Sequence, residues 1–196
     1  DFMEKVLQHL RALRSLNLGM ESSFFLFNWC LETIRTPLTY LRITCSTTTT
    51  IIDLMLTQSL PHTLQQFHVK LNNDWSSSHI DISAAKLSPR MEALHTFTFV
   101  KSFKWHYREE WTFVDILTSS SHMPVLQRMN FSIVINADDL NDINHSALFT
   151  DYRHVDVHYA FIIDGNRSHS ELIEYIPFAS QCHSRQIASA TFIAES

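Results

Sequence analysis

Three chemistry-bearing side chains alternate in the stretch HVDVH: His154, Asp156 and His158. Imidazole nitrogen and carboxylate oxygen are both donors that a zinc ion takes. Alternate residues of an extended strand share one face, so the spacing predicts that all three side chains point the same way. Such positions lie about 7 Å apart, however, and their side chains diverge. A metal would need a further donor from a neighbouring strand, with Asn130 the candidate. The chain holds 12 histidines, so this spacing arises readily without a ligand. The triplet is expected to belong to a solvated strand face, with no metal bound.

The histidines also offer bases. No Ser, Cys or Thr nucleophile stands beside them in a recognisable motif, and no paired-carboxylate signature stands out, so no catalytic residue is expected. Glycine occurs only twice, at Gly19 and Gly165. Loops that cradle phosphates need several glycines close together, so neither dinucleotide-binding nor P-loop patterns can form, and the nucleophile elbow G-x-S-x-G is absent as well. No cofactor is expected. Cys30, Cys45 and Cys182 are widely spaced with no C-x-x-C. That removes a zinc ribbon or thioredoxin-type pair and points to a reducing, intracellular home.

Charge narrows the partners. Formal net charge is −5 with no long run of either sign, which is not the footprint of a nucleic-acid or anionic-membrane binder. The longest apolar stretch, FFLFNWCLETI, is too short and too polar to span a bilayer. With 196 residues, 45% of them hydrophobic, the chain can bury a sizeable core as one domain.

The elements that would position the histidines follow from a spacing that recurs. Apolar residues separated by three and then by two appear at Leu13, Leu16 and Leu18; at Leu38, Leu41 and Ile43; and at Leu64, Phe67 and Val69. They return at Leu94, Phe97 and Phe99; at Leu126, Met129 and Phe131; and at Tyr152, Val155 and Val157. A weaker seventh copy is Ile187, Ala190 and Phe192. The middle position advances by 25, 26, 30, 32, 26 and 35 residues. Self-similarity at such a period is the mark of a stacked-repeat architecture. In each copy the last two apolar residues fit a short strand facing inward, and the first fits the turn before it.

Parallel strands need crossovers, usually helical. Segments 22–34, 108–120, 137–149 and 168–180 have the capping and apolar periodicity of helices, and the N-terminal FMEKVLQHLRAL reads as the helix before the first strand. An open doubly wound sheet is the alternative fold, but its strands would be longer and its turns richer in glycine. The chain is therefore expected to form one α/β leucine-rich-repeat-like solenoid over residues 1–196. About seven irregular units would place parallel strands on the concave face and helices on the convex face.

The units resemble leucine-rich repeats of the F-box/LRR type, through LTYLRIT (38–44) and LPHTLQQFHV (60–69). That resemblance implies a substrate-recognition role in a ubiquitin ligase receptor. No F-box is visible in the chain; one would lie upstream of Asp1. The family's asparagine, three residues past the last strand apolar, is matched only at Asn72. The corresponding residues elsewhere are Glu21, Ser46, Ser102, Val134 and Ala160, so a regular asparagine ladder is not expected.

Residues flanking the inward pairs would line the concave face. The best candidates for binding a protein or peptide are Tyr40, Arg42, Gln66, His68, Lys70, Arg128, Asn130, His154, Asp156 and His158. Ser15, Asn17, Thr44, Thr96, Thr98, Ser132, Ser189 and Thr191 share that face. Six steps of about 4.8 Å give an arc of roughly 29 Å, wide enough for a peptide. Tyr and Arg dominate interaction hot spots, which puts Tyr40, Arg42 and Arg128 first. Two further stretches are set apart. KSFKWHYREEW (101–111) is expected as a loop folding back onto the next helix, or else a rim element using Trp105 and Tyr107. NNDWSSSH (72–79) is expected as an exposed loop. A sensing or structural repeat segment of a larger signalling protein is the alternative function, and an enzyme the third.

Overall fold

The computed structural model describes residues 12–19, 36–45, 47–57, 59–72, 82–102, 110–136, 139–164 and 190–193. They contain seven strands: β1 (Ser15–Asn17), β2 (Tyr40–Cys45), β3 (Gln66–Asn72), β4 (Thr96–Ser102), β5 (Arg128–Asn136), β6 (Asp156–Asp164) and β7 (Ala190–Ile193). Helices described between them are α1 (Thr48–Met55), α2 (Leu60–Thr63), α3 (Ile82–Lys86), α4 (Glu110–Thr118), α5 (Leu140–Asn144) and α6 (Ala147–Thr150).

The strands form one sheet in chain order, and every neighbouring pair is parallel. Crossovers between parallel strands are almost always right-handed. A sheet that keeps adding its next strand on the same side therefore throws its crossovers to one face. The buried side chains fit that geometry. Leu41, Phe67, Phe97 and Met129 join Ile52 and Met55 of α1 and Val114 and Leu117 of α4 in a single apolar cluster.

The three-then-two spacing sets the register over five strands. Leu16 aligns with Leu41, Leu41 with Phe67, Phe67 with Phe97 and Phe97 with Met129, as the repeat predicts. The preceding members Leu38, Leu64, Leu94 and Leu126 are buried in the turns. The starts of β2, β3, β4 and β5 are each tied by one carbonyl that accepts two successive backbone N–H groups. The Arg14 carbonyl takes those of Thr39 and Tyr40 at 2.8 and 3.1 Å, and the Thr39 carbonyl those of Gln65 and Gln66 at 2.9 and 3.0 Å. Gln65 repeats this for His95 and Thr96, and His95 for Gln127 and Arg128. Both lone pairs of one oxygen thereby fix the position of the next strand.

The sixth copy departs from the repeat. Met129 aligns with Val157, not Val155, and Phe131 with Tyr159. Tyr152, expected in the turn core, is 74% exposed. Val155 is buried all the same, with Val157, Tyr159 and Phe161. Because a strand repeats every two residues, a two-residue slip keeps the same side chains inward. In the seventh copy, Ala190 pairs with Phe161.

Helices also depart from expectation in detail. Within segment 108–120, α4 covers Glu110–Thr118. Segment 137–149 divides into α5 and α6, because Ser146 starts a new helix by accepting the Leu148 N–H at 3.2 Å. The threonine-rich α1 was not anticipated; Thr47 caps it by accepting the Thr50 N–H at 3.1 Å, and Ile51, Ile52, Leu54 and Met55 are buried. Lys101 and Ser102, expected in a loop, end β4, and Lys101 is buried opposite Leu71. Expected helices at the N-terminus, 22–34 and 168–180 lie outside the described residues, as do Trp105, Tyr107, Ser189 and positions 73–79.

Aromatic rings bind adjacent strands on the apolar face. Phe67 and Phe97 lie 5.8 Å apart, Phe131 stacks on Tyr159 at 5.8 Å, and Trp111 of α4 lies 5.9 Å from Phe131. Fully burying one such ring stabilises the fold by about 1.5–3 kcal/mol, so this row outweighs any single polar contact on the other face.

Candidate functional site

The opposite face of the sheet is polar and, among the described residues, mostly half-buried. Register arranges it in rows. One runs Ser15, Tyr40, Gln66, Thr96, Arg128 and Asp156 from β1 to β6. The next runs Asn17, Arg42, His68, Thr98, Asn130 and His158. A third contains Thr44, Lys70, Val100, Ser132 and Ala160. Nine of the ten residues expected to bind a partner therefore sit in three adjacent rows: Tyr40, Arg42, Gln66, His68, Lys70, Arg128, Asn130, Asp156 and His158.

His154 is the exception. It precedes β6 and has φ 50°, in the left-handed region where a non-glycine residue is uncommon. It is thus outside the alternating geometry that would have placed it beside Asp156 and His158. Asn130 aligns with His158 rather than with Asp156. Among the described residues no three His, Cys, Asp or Glu side chains gather at metal-binding separation.

The middle row is knit together. The Tyr40 and His68 rings lie 5.2 Å apart. His68 Nδ1 lies 2.8 Å from Thr98 Oγ1, and Asn130 Nδ2 donates to the same hydroxyl at 3.2 Å. Burial, and then the positive charge of Arg42, holds the His68 pKa below its ordinary 6.5. A neutral ring suits the geometry: Thr98 donates its proton to Nδ1 while accepting from Asn130.

Charge is handled differently at the two ends of this face. At β5–β6, Asp156 Oδ2 accepts from His158 Nε2 at 3.1 Å and lies 3.4 Å from Arg128 Nε. The two-residue slip creates this pair, because it brings Asp156 opposite Arg128. At β2–β3, neither Arg42 nor Lys70 forms an ion pair among the described residues. Arg42 Nε and Thr44 Oγ1, two positions apart on β2, are both buried without a hydrogen-bond partner.

A further residue escaped the sequence reading. Arg153 is buried just before β6, where its Nε donates to Asp151 Oδ2 at 2.6 Å. Its Nη1 donates to the carbonyls of Thr118 and Met123 at 2.7 and 2.8 Å. Cations suit the carbonyl end of a helix, and Thr118 ends α4. The D-x-R pattern at Asp151–Arg153 was the only signal in the sequence.

No family model, curated protein or solved structure matches the chain. Among the described residues, no helix is long and apolar enough to cross a membrane. The geometry supplies a stack of adjacent polar rows with two different charge arrangements.

Proposed function

We propose that this chain is a leucine-rich-repeat-like solenoid that binds a protein or peptide across the polar face of its sheet. One observation carries the reading: parallel strands follow one another in chain order, so one face is covered and the other presents aligned rows of polar side chains. Solenoids commonly bind through extended surfaces of this kind. The tethering of four successive strand starts by one carbonyl each supports a repeating unit. The chain acts by binding and not by catalysis. A narrower form of the proposal makes it the substrate-recognition part of an F-box-type ubiquitin ligase receptor, resting on LTYLRIT and LPHTLQQFHV alone. An intracellular setting is part of it; Cys45 is a free, buried thiol whose pKa burial pushes up to about 12.

Reversing charge at Arg42 and Arg128 together, each to Glu, is expected to abolish capture of a partner from cell lysate. Circular dichroism should show the double variant folded, so that lost capture reports on the surface and not on unfolding. Undiminished capture would count against the polar face as the binding surface.

A further inference from the structure

The three rows of the polar face carry three permanent cations, Arg42, Lys70 and Arg128, and a single carboxylate, Asp156. The chain as a whole has formal net charge −5. Positive charge is therefore concentrated here against the overall balance. It is also unevenly satisfied. Asp156 answers Arg128, whereas Arg42 and Lys70 have no counterion among the described residues. Arg42 stands opposite His68, two positions before Lys70 on the neighbouring strand, which places the two backbones about 8 Å apart. Its Nε is buried without a hydrogen bond, so packing rather than a carboxylate holds the side chain in place. His68 beside it is kept neutral and anchored to Thr98.

We infer that the β2–β3 part of this face docks an extended, carboxylate-rich segment of a protein partner, with Arg42 and Lys70 receiving two of its acidic side chains. The inference rests on the binding-face reading and names the chemistry of its partner. Alternate side chains on an extended chain are about 7 Å apart, close to the about 8 Å between the two backbone positions. Arg also pairs with carboxylates through two parallel hydrogen bonds, giving directed recognition. Tyr40, next to Arg42 on the same face, supplies an amphipathic contact at low entropic cost. Nucleic acid fits less well. A duplex presents one charge per about 1.7 Å, or roughly 17 over a 29 Å arc, far beyond the cations available. A short acidic segment needs only two.

The test uses the full chain and a fluorescein-labelled alternating Asp–Ser octapeptide, read by fluorescence anisotropy. An alternating Lys–Ser octapeptide and a single-stranded oligothymidylate serve as comparison ligands. The Asp–Ser peptide should bind, weaken as salt rises, and lose about tenfold or more in affinity when Arg42→Glu and Lys70→Glu are combined. Lys86→Glu, on α3, should leave binding unchanged, and circular dichroism should show the double variant folded. Equal binding by the parent and the double variant would overturn the inference, as would no binding or tighter binding of the oligothymidylate. If Arg128→Glu abolishes lysate capture while the peptide does not bind, the face stands and its acidic preference falls. If neither Arg42 nor Arg128 reversal alters capture, the face itself falls.

Discussion

The starts of β2 through β5 and the start of β6 solve one problem in two ways. In the first four, a single carbonyl receives two consecutive N–H groups, and the residues there are polar and half-buried or exposed. At β6 the Gln127 carbonyl takes the Asp156 N–H at 2.8 Å, and the residue before it is the buried Val155. His154 adopts left-handed backbone, and Arg153 is drawn inward onto the carbonyls of Thr118 and Met123. Apolar spacing and backbone bonding accompany the regular register in the first region. In the second, a buried guanidinium and a backbone turn accompany a register moved by two. The difference shows how one repeat can carry a distinct surface: the slip neutralises the β5–β6 end of the polar face and leaves the β2–β3 end cationic.

Four perturbations probe that contrast. The largest effect is expected in the regular region, where Phe97→Ala should cost roughly 3–5 kcal/mol in urea denaturation, because the ring is fully buried. A loss below about 1 kcal/mol would show that the shared register of β3, β4 and β5 is not what holds them. Arg153→Ala should come next, at about 3 kcal/mol, since it strands Asp151 and frees two carbonyls in the β6 junction. Arg153→Lys should recover little of this, because one ammonium cannot reproduce the guanidinium fork. A mild effect would mean that the junction does not depend on this anchor.

Backbone strain at the same junction should give a smaller signal. His154→Val should be less stable than His154→Asn by about 1–2 kcal/mol, since a β-branched residue tolerates left-handed backbone poorly. Equal stability of the two variants would remove strain from the account. The finest test is pH dependence in the regular region. His68 has a folded-state pKa below 6.5 through burial and Arg42, so the unfolded chain takes up its proton first. The stability contributed by His68 is complete above about pH 6.5 and is lost as pH falls through the lower folded value. His68→Gln should flatten that part of the melting-temperature profile, and an unchanged slope would assign it to other groups.

These regions also differ in how legible they were. The alignment of Leu16, Leu41, Phe67, Phe97 and Met129 could be read directly, because each copy has one three-residue gap that marks the turn. Near β6 the residues Val155, Val157, Tyr159 and Phe161 alternate without interruption, so apolar pattern identifies the buried face but not which residue faces which. Tyr152 added a false turn residue. The polar rows were legible because strand alternation determines them, whereas the Arg128–Asp156 pair was hidden by the slip. Helix α1 was hidden by its threonines, whose β-branching disfavours a helix that burial and the Thr47 cap nevertheless sustain. Arg153 was illegible because the carbonyls that receive it belong to a segment some thirty residues earlier in the chain.

Adjacency in sequence and adjacency in space coincide throughout this sheet, and that bears on how the chain is made. Leu16 to Leu41, Phe67 to Phe97 and Met129 to Val157 are separations of 25, 30 and 28 residues. Closing loops of such similar length carries nearly the same entropic penalty each time, since even doubling a loop adds only about 0.6 kcal/mol. A nascent polypeptide can accordingly zip up ribbon by ribbon in the order of translation, each new edge templating the one that emerges next.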